Sequence, residues 1–249
     1  MKVSIITPTY NSSQFICETI DSILNQSYIH WELLITDDCS NDNTWDILLK
    51  YAKKDSRIKI FGLDKNSGAG IARNNSIKEA SGKYIAFCDS DDIWLPNKLE
   101  CQINFMEKNN YDLSFSSCSK INEQRKHLGE IKAKNKVSYK IMLRNNYIPC
   151  LTAMYNVHTL GKQYMSEIRK RQDWALWLKI LKQTNFAYGI QEPLAQYRIR
   201  EKSLSSSKLT LLKSNWNIYK NVEGFSKLKS SHCITRFLFF YFLYKIFKI

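Results

Sequence analysis

Three carboxylates crowd one turn at Asp89-Ser90-Asp91-Asp92, between the apolar run Tyr84–Cys88 and Ile93-Trp94-Leu95-Pro96. Like charges this close repel unless a cation relieves them, and Mg2+ or Mn2+, which prefer carboxylate oxygens, also bridge nucleoside diphosphates. A solvated acidic turn is the alternative; the place behind a buried strand favours metal. Asp37-Asp38-Cys39-Ser40-Asn41-Asp42 repeats the theme. A carboxylate there can accept the imide N–H of uracil or thymine, a donor that cytosine lacks. Ser40–Asp42 read as a helix cap, which leaves Asp38 for the base. Pro8 and Tyr10, in Thr7-Pro8-Thr9-Tyr10-Asn11, stand beside Asp38 either as a wall for base or ribose or as a plain strand-to-helix turn.

Asn66-Ser67-Gly68-Ala69-Gly70 resembles a phosphate-cradling turn entering a helix, but it lacks both the Lys-Ser/Thr of a P-loop and the third glycine of a dinucleotide fingerprint. Arg73, one turn into that helix, either reaches a diphosphate or sits on the surface. In Arg171-Gln172-Asp173-Trp174-Ala175-Leu176-Trp177 an acid opens a helix with two tryptophans close behind. Spacing alone leaves Asp173 open between compensation of the helix dipole and deprotonation of a sugar hydroxyl. The tryptophans are likewise open between core and sugar-binding faces.

The elements that must position these groups follow from periodicity. Val3–Thr7, Leu33–Thr36, Ile58–Phe61 and Tyr84–Cys88 read as strands. Three helices lie between them: one with Phe15, Ile16, Ile20, Ile23 and Leu24 on one face, one with Trp45, Leu48, Leu49 and Ala52, and one from Gly70 to Ala80. Strand and helix in alternation mean parallel βαβ units, an α/β fold whose ligands gather at the carboxyl ends of the strands. Beyond Asp92 the pattern predicts a helix near Pro96–Glu107, a strand at Asp112–Ser116, a polar, basic stretch over Asn122–Lys136 and a helix at Ser138–Leu143. A strong helix at Asp173–Gln183 follows, then an apolar-polar stretch at Phe186–Ile190 and a Ser/Lys-rich segment at Arg198–Lys208. This second half reads as the acceptor side.

A length of 249 residues with 44% hydrophobic content accommodates one domain with a C-terminal appendage. The formal charge of +14 points to acidic partners, an anionic membrane surface or phosphorylated small molecules. Nucleic acid is set aside, because no arginine-rich run, recognition helix or zinc-finger spacing is present. Seven scattered cysteines without a CxxC pair suit reduced thiols, with neither zinc nor disulfide framework. Met1-Lys2 runs straight into a strand, which is neither a signal peptide nor a span, so the catalytic part is expected in the cytoplasm. Phe237–Tyr244, flanked by Arg236, Lys245 and Lys248, lies in Ile234–Ile249, a segment too short to span a bilayer. It fits an amphipathic, aromatic tail on a membrane surface, or a terminal helix packed on the domain or on a dimer partner.

Taken in order, Val3-Ser4-Ile5-Ile6-Thr7-Pro8-Thr9-Tyr10-Asn11, Asp37-Asp38-Cys39-Ser40, Ala72-Arg73-Asn74, Asp89-Ser90-Asp91-Asp92 and Gln172-Asp173-Trp174 resemble the family 2 glycosyltransferases. The likeness covers residues 1–206 and is strongest to the bacterial branch that builds O-antigen, capsule or teichuronic acid chains, including Pro193–Arg198 and Ser203–Ser206. It implies a GT-A fold: a nucleotide-sugar half at 1–96, an acceptor half at 97–206, and a helical extension at 207–249. It also implies an inverting transfer from a nucleotide sugar, UDP-sugars being commonest, to a polyprenyl-diphosphate-linked saccharide at the inner face of the cytoplasmic membrane. Asp38 then binds uracil, Asp89 lies near ribose and donor sugar, Asp91 ligates Mn2+ or Mg2+, and Asp173 is the base. Asp92, Trp94, Trp174 and Arg200 fall near donor or acceptor. Two departures stand out: Cys39 where the family often has glycine, and Arg200 where many relatives carry histidine. A nucleotidyltransferase would need a glycine-rich basic loop after the first strand, where Thr-Pro-Thr-Tyr-Asn stands. A non-catalytic nucleotide-sugar-binding scaffold would not be expected to keep Asp38, Asp89, Asp91 and Asp173 together.

Overall fold

The structure, a computed structural model, describes residues 1–200 and 208–247, with side chains described within 1–200 and 211–240. Strands β1 (Val3–Thr9), β2 (Trp31–Asp37), β3 (Ile58–Gly62) and β4 (Tyr84–Phe87) alternate with helices α1 (Ile16–Leu24), α2 (Thr44–Lys54) and α3 (Ala69–Glu79). All four strands are mutually parallel. Every residue of β1, β2 and β4 is buried, because crossover helices cover both faces; their sequences are therefore apolar runs rather than alternations.

The described strands form one sheet ordered β3-β2-β1-β4-β9-β6-β10-β5, with β7 on β6 and β8 on β10. The chain winds outward from β1 to β3, then crosses back to lay β4 on the other side of β1. The reversal makes the carboxyl ends of β1 and β4 the switch point, the place where open α/β sheets take ligands in a crevice between strand ends.

After β5 (Ile93–Trp94) come α4 (Lys98–Asn109), β6 (Leu113–Ile121), β7 (His127–Ile131), β8 (Lys136–Val137) and α5 (Tyr139–Met142). Then follow β9 (Met154–Asn156), α6 (Val157–Leu160), α7 (Gln172–Ile180) and β10 (Ala187–Arg198). Two expectations change here. The polar stretch at 122–136 contains the hairpin strand β7, and the short pattern at 186–190 runs on to residue 198. Register shifts on either side of Pro193 break the alternation of β10, and this hides its length. β9 lies antiparallel between β4 and β6 and fuses the two halves into a continuous sheet.

At the amino end of the sheet Glu32, 1% exposed, accepts from Ser4 Oγ at 2.7 Å, Ser81 N at 2.8 Å and Lys2 Nζ at 2.7 Å. This ties β1 and β2 to the turn before β4. Burial opposes its charge, but Lys2, Ser4 and Ser81 hold its carboxyl down to about 2.

The C-terminal helices α8 (Lys208–Asn217) and α9 (Lys227–Phe247) flank a π turn at Ile218–Val222. Ile218 and Tyr219 are fully buried in the main core, and Tyr219 donates to the Leu143 carbonyl at 2.7 Å. On α9, Cys233 and Phe237 are buried while Phe239 is 58% exposed. Among the described residues no helix is long and apolar enough to cross a membrane. The expected boundary at residue 206 and the Ser203–Ser206 stretch lie outside the described residues, as do the side chains of Tyr244, Lys245 and Lys248.

Candidate active site

The acidic turn after β4 is clamped from two sides. From α1, Thr19 Oγ1 donates to the Asp92 carbonyl at 2.8 Å, and Ser12 and Ser90 hydroxyls meet at 2.8 Å. From the end of β10, Arg198 gives its backbone N–H to Asp92 Oδ1 at 2.9 Å and its Nε–H to the Asp91 carbonyl at 2.7 Å. The guanidinium of Arg198 is fully buried and also bonds Glu18 Oε2 at 2.6 Å. These bonds fix the backbone of the turn and hold Asp92 inward, while the Asp89 and Asp91 side chains stay partly exposed.

Electrostatics divide the three carboxylates accordingly. Burial first, then the charges of Asp91 and Asp89, pushes the Asp92 carboxyl well above the usual carboxylate range. Asp91 is also pushed up by burial and by Asp89, with Arg200 pulling the other way from 3.4 Å. Asp89 pairs with Arg73 at 2.5 Å. Asp92, 1% exposed, is therefore an anchor for β10 and not the donor or acceptor neighbour expected of it.

Arg73 is no surface residue. It is 6% exposed, and burial works against its charge, but Asp89 first and Asp173 further on raise it above its ordinary value. The α3 arginine thus lies within electrostatic reach of the acidic turn and of the carboxylate that opens α7. Asp173 itself is half-buried and accepts from Asn146 Nδ2 at 2.7 Å. Gly70 of α3 packs on the neighbouring Gln172, whose Cγ would lie 3.1 Å from an added Cβ.

Asp38 is 3% exposed, and its two oxygens accept the backbone N–H groups of Ser67 at 2.7 Å and Gly68 at 2.8 Å. It shapes the turn into α3, and a second lone pair on each oxygen is what a uracil imide would use. Pro8 is buried within β1, whereas Tyr10 is 44% exposed at the crevice mouth. Asn11 and Cys39, just past β1 and β2, and Arg171, just before α7, have φ of 47°, 63° and 65°. Left-handed backbone at residues with a Cβ costs about 1–2 kcal/mol each and concentrates at functional sites.

The expected aromatic faces are absent from the crevice. Trp94 is 2% exposed and donates to the Leu151 carbonyl at 2.9 Å; Trp174 is fully buried and donates to the Met142 carbonyl at 2.8 Å. Trp177 is equally buried and meets Phe87 edge-on. These indoles are core, each satisfied by a carbonyl, Trp94 on β5 and Trp174 and Trp177 on the buried faces of α7. Reading the sequence for motifs missed Arg198, Glu18 and Asn146. Arg198 carried a signal as the charge ending a strand, whereas Asn146 had none, since its role depends on a loop folding back to α7.

A fold search places the chain beside the S. aureus TarS 1–349 complex with UDP-GlcNAc, at TM-score 0.74 and 23% identity over 96% of this chain and 72% of that one. The mannosyltransferase PcManGT of Pyrobaculum calidifontis, solved with GDP-Man and Mn2+, aligns at TM-score 0.67 and 15% identity over 90% of this chain and 65% of that one. At these identities the likeness is one of fold, and the fold is GT-A. The family model described as glycosyl transferase family 2 matches residues 4–165, and the chain belongs to that family. TuaG of Bacillus subtilis, named for teichuronic acid biosynthesis, is 42% identical over 94% of each chain. The Escherichia coli protein WfgD, named UDP-Glc:α-D-GlcNAc-diphosphoundecaprenol β-1,3-glucosyltransferase, is 41% identical over 87% of this chain and 84% of its own.

Proposed function

We propose that the protein moves a glycosyl group from a UDP-sugar to a hydroxyl of a lipid-diphosphate-linked saccharide, with inversion at the anomeric carbon, in building a bacterial surface polysaccharide. The observation that carries this reading is the buried Arg73 paired with Asp89 at 2.5 Å on the acidic turn that follows β4 at the sheet's switch point. WfgD and WfaP of Escherichia coli are both named for making a β-1,3 linkage from UDP-Glc onto a diphosphoundecaprenol-linked sugar, the outcome of a single displacement on an α-linked donor.

In this reading Asp38 and Tyr10 receive the uracil, Pro8 backs them from within β1, and Asp89 lies at the ribose. Asp173, its rotation held by Asn146, takes the acceptor hydroxyl proton as that oxygen attacks the anomeric carbon from the face opposite the diphosphate. Arg73 supplies fixed positive charge for the leaving diphosphate, and Arg200, beside Asp91, adds to it. Both carboxylates on the open side of the acidic turn, 30% and 23% exposed, are hard oxygen donors suited to Mg2+ or Mn2+. Among the described residues no group of three His, Cys, Asp or Glu is placed to hold a metal ion, so the residues that would hold one are Asp91, with Asp89 nearby. A divalent ion held there would supply positive charge to offset that on the departing diphosphate. The basic surface and the exposed Phe239 of α9 suit a peripheral seat on the inner, anionic face of the cytoplasmic membrane.

The test is nucleotide release from UDP-, GDP- and dTDP-sugars with Mn2+ or with EDTA, comparing wild type with Asp91→Ala and Asp173→Asn on a lipid-diphosphate-linked acceptor. Metal-dependent release from one UDP-sugar, lost in both variants, supports the reading. Absence of nucleotide-sugar binding sinks it, and an α-linked product from an α-linked donor removes the inversion.

A further inference from the structure

Away from the acidic turn, a cavity of about 170 Å³ lies between α5 and α9, lined by Lys140, Leu143, Arg144, Cys233 and Arg236. Three cations thus stand over two apolar side chains. Among the described residues none of the three forms an ion pair with a carboxylate. Like charges gathered without counter-ions repel, and an anion between them relieves that cost. Arg144 carries a second sign of a missing acceptor: its Nε is buried without a hydrogen-bond partner. Its guanidinium carbon is 5.1 Å from the Phe240 ring, which fixes the planar fork in place. A buried donor left unpaired costs about 1–3 kcal/mol, which an incoming anionic oxygen would recover.

The cavity's place relative to the base selects among anions. The Cα atoms of Arg144 and Asn146, two residues apart, are at most about 7 Å from each other, and the Asn146 side chain touches Asp173, so the cavity and the carboxylate share one short loop. A saccharide joined to its lipid through a diphosphate keeps that diphosphate about one sugar ring from the hydroxyl to be deprotonated. We infer that this cavity binds the diphosphate of a lipid-diphosphate-linked saccharide acceptor, with Arg144 and Arg236 gripping its phosphates, Lys140 adding charge, and the lipid leaving along α9. The inference rests on the transfer reaction proposed above and names where its acceptor is held. Leu143 and Phe240 supply apolar contact at the first isoprenoid units, and the exposed Phe239 continues that surface outward.

The probe is geranyl diphosphate, titrated by calorimetry with the donor crevice already filled by UDP, into wild type, Arg144→Gln and Arg236→Gln. Affinity is expected to fall about tenfold in Arg144→Gln and measurably in Arg236→Gln, with UDP affinity preserved. Arg236 is exposed, so its replacement leaves the fold intact even if the Arg144 variant does not fold. Equal affinity in wild type and Arg236→Gln overturns the assignment, and so does no binding to wild type. Phosphatidylcholine vesicles with and without phosphatidylglycerol separate the second source of phosphate: loss of vesicle binding with unchanged geranyl diphosphate affinity gives the cavity to membrane headgroups instead. UDP-sugar hydrolysis without acceptor reads the donor crevice alone, so failure of the transfer reading is seen separately from failure of the cavity.

Discussion

Asn146 donates its side-chain N–H to Oδ2 of Asp173 across 2.7 Å, and the loop that carries Asn146 is held in turn by the bond from Tyr219 to the Leu143 carbonyl. A carboxylate on the first turn of a helix is free to rotate about its side-chain bonds, and one donor on one oxygen restricts that freedom.

Asn146→Ala is therefore expected to lower kcat about 10- to 100-fold, the scale on which misplacing a reacting group costs rate, with the KM for UDP-sugar little changed. Steady-state kinetics over both substrates separates the terms. A rise in donor KM with kcat preserved would mean that the loop shapes the donor crevice instead of the base.

The inward turn of Asp92 and the outward turn of Asp91 make opposite forecasts for the same chemical change. Asp92→Asn retains the oxygen that accepts the Arg198 N–H, and the buried carboxyl it replaces is already biased towards its neutral form, so activity should stay within about threefold of wild type. Asp91→Asn removes the anionic oxygen on the crevice side and should cost more than about 100-fold in kcat/KM. Parallel assays on the two variants decide it; equal losses would return Asp92 to the donor or acceptor neighbourhood expected of it.

Cys39 is exposed and sits at φ 63°, and its thiol makes only a long contact of 3.9 Å to the Asp64 carbonyl. Glycine enters this backbone region without the Cβ clash, at an entropic cost in the unfolded chain, so Cys39→Gly should stabilise the fold by about 0.5–1 kcal/mol. Urea unfolding reads the change as a shift in midpoint at constant slope. A destabilised variant would mean that the thiol contact outweighs the backbone strain.

How far the sequence could be read depended on how local the cause was. The four parallel strands and their helices were legible because continuous apolar runs and amphipathic faces are written within each segment. The acidic residues at strand ends were legible because the sheet's direction alone puts them on one edge. β9 was hidden, as only three residues of it pair, and so was the reach of β10, whose pattern breaks at Pro193. Trp94 and Trp174 were misread towards the site because a tryptophan beside an aspartate looks the same whether its ring faces sugar or core; the buried carbonyls of Leu151 and Met142 that hold the indoles come from distant segments. Arg198 and Asn146 act across 106 and 27 residues of chain, which no local pattern records.

Lys98 gives a pH dependence with a definite sign. It is fully buried behind the acidic turn, donates to Gln102 Oε1 at 2.7 Å and lies 4.1 Å from the Trp94 ring centroid, and burial lowers its amine from 10.5 to about 7. Between those values the unfolded chain holds a proton there that the folded chain has released. Stability therefore rises with pH across this window, and below pH 7 the full penalty of the buried charge is present. The rise from pH 7 to pH 10 is on the order of 4 kcal/mol for this one group. Lys98→Met removes the titrating group and leaves the Gln102 carbonyl oxygen without its donor, a cost of about 1–3 kcal/mol that does not depend on pH. Chemical denaturation of both proteins at intervals from pH 6.5 to 9.5 should show the wild type gaining stability relative to the variant as pH rises, most steeply above pH 7. Parallel curves would mean that Lys98 keeps its proton throughout, held by Gln102 and the Trp94 ring more strongly than burial expels it.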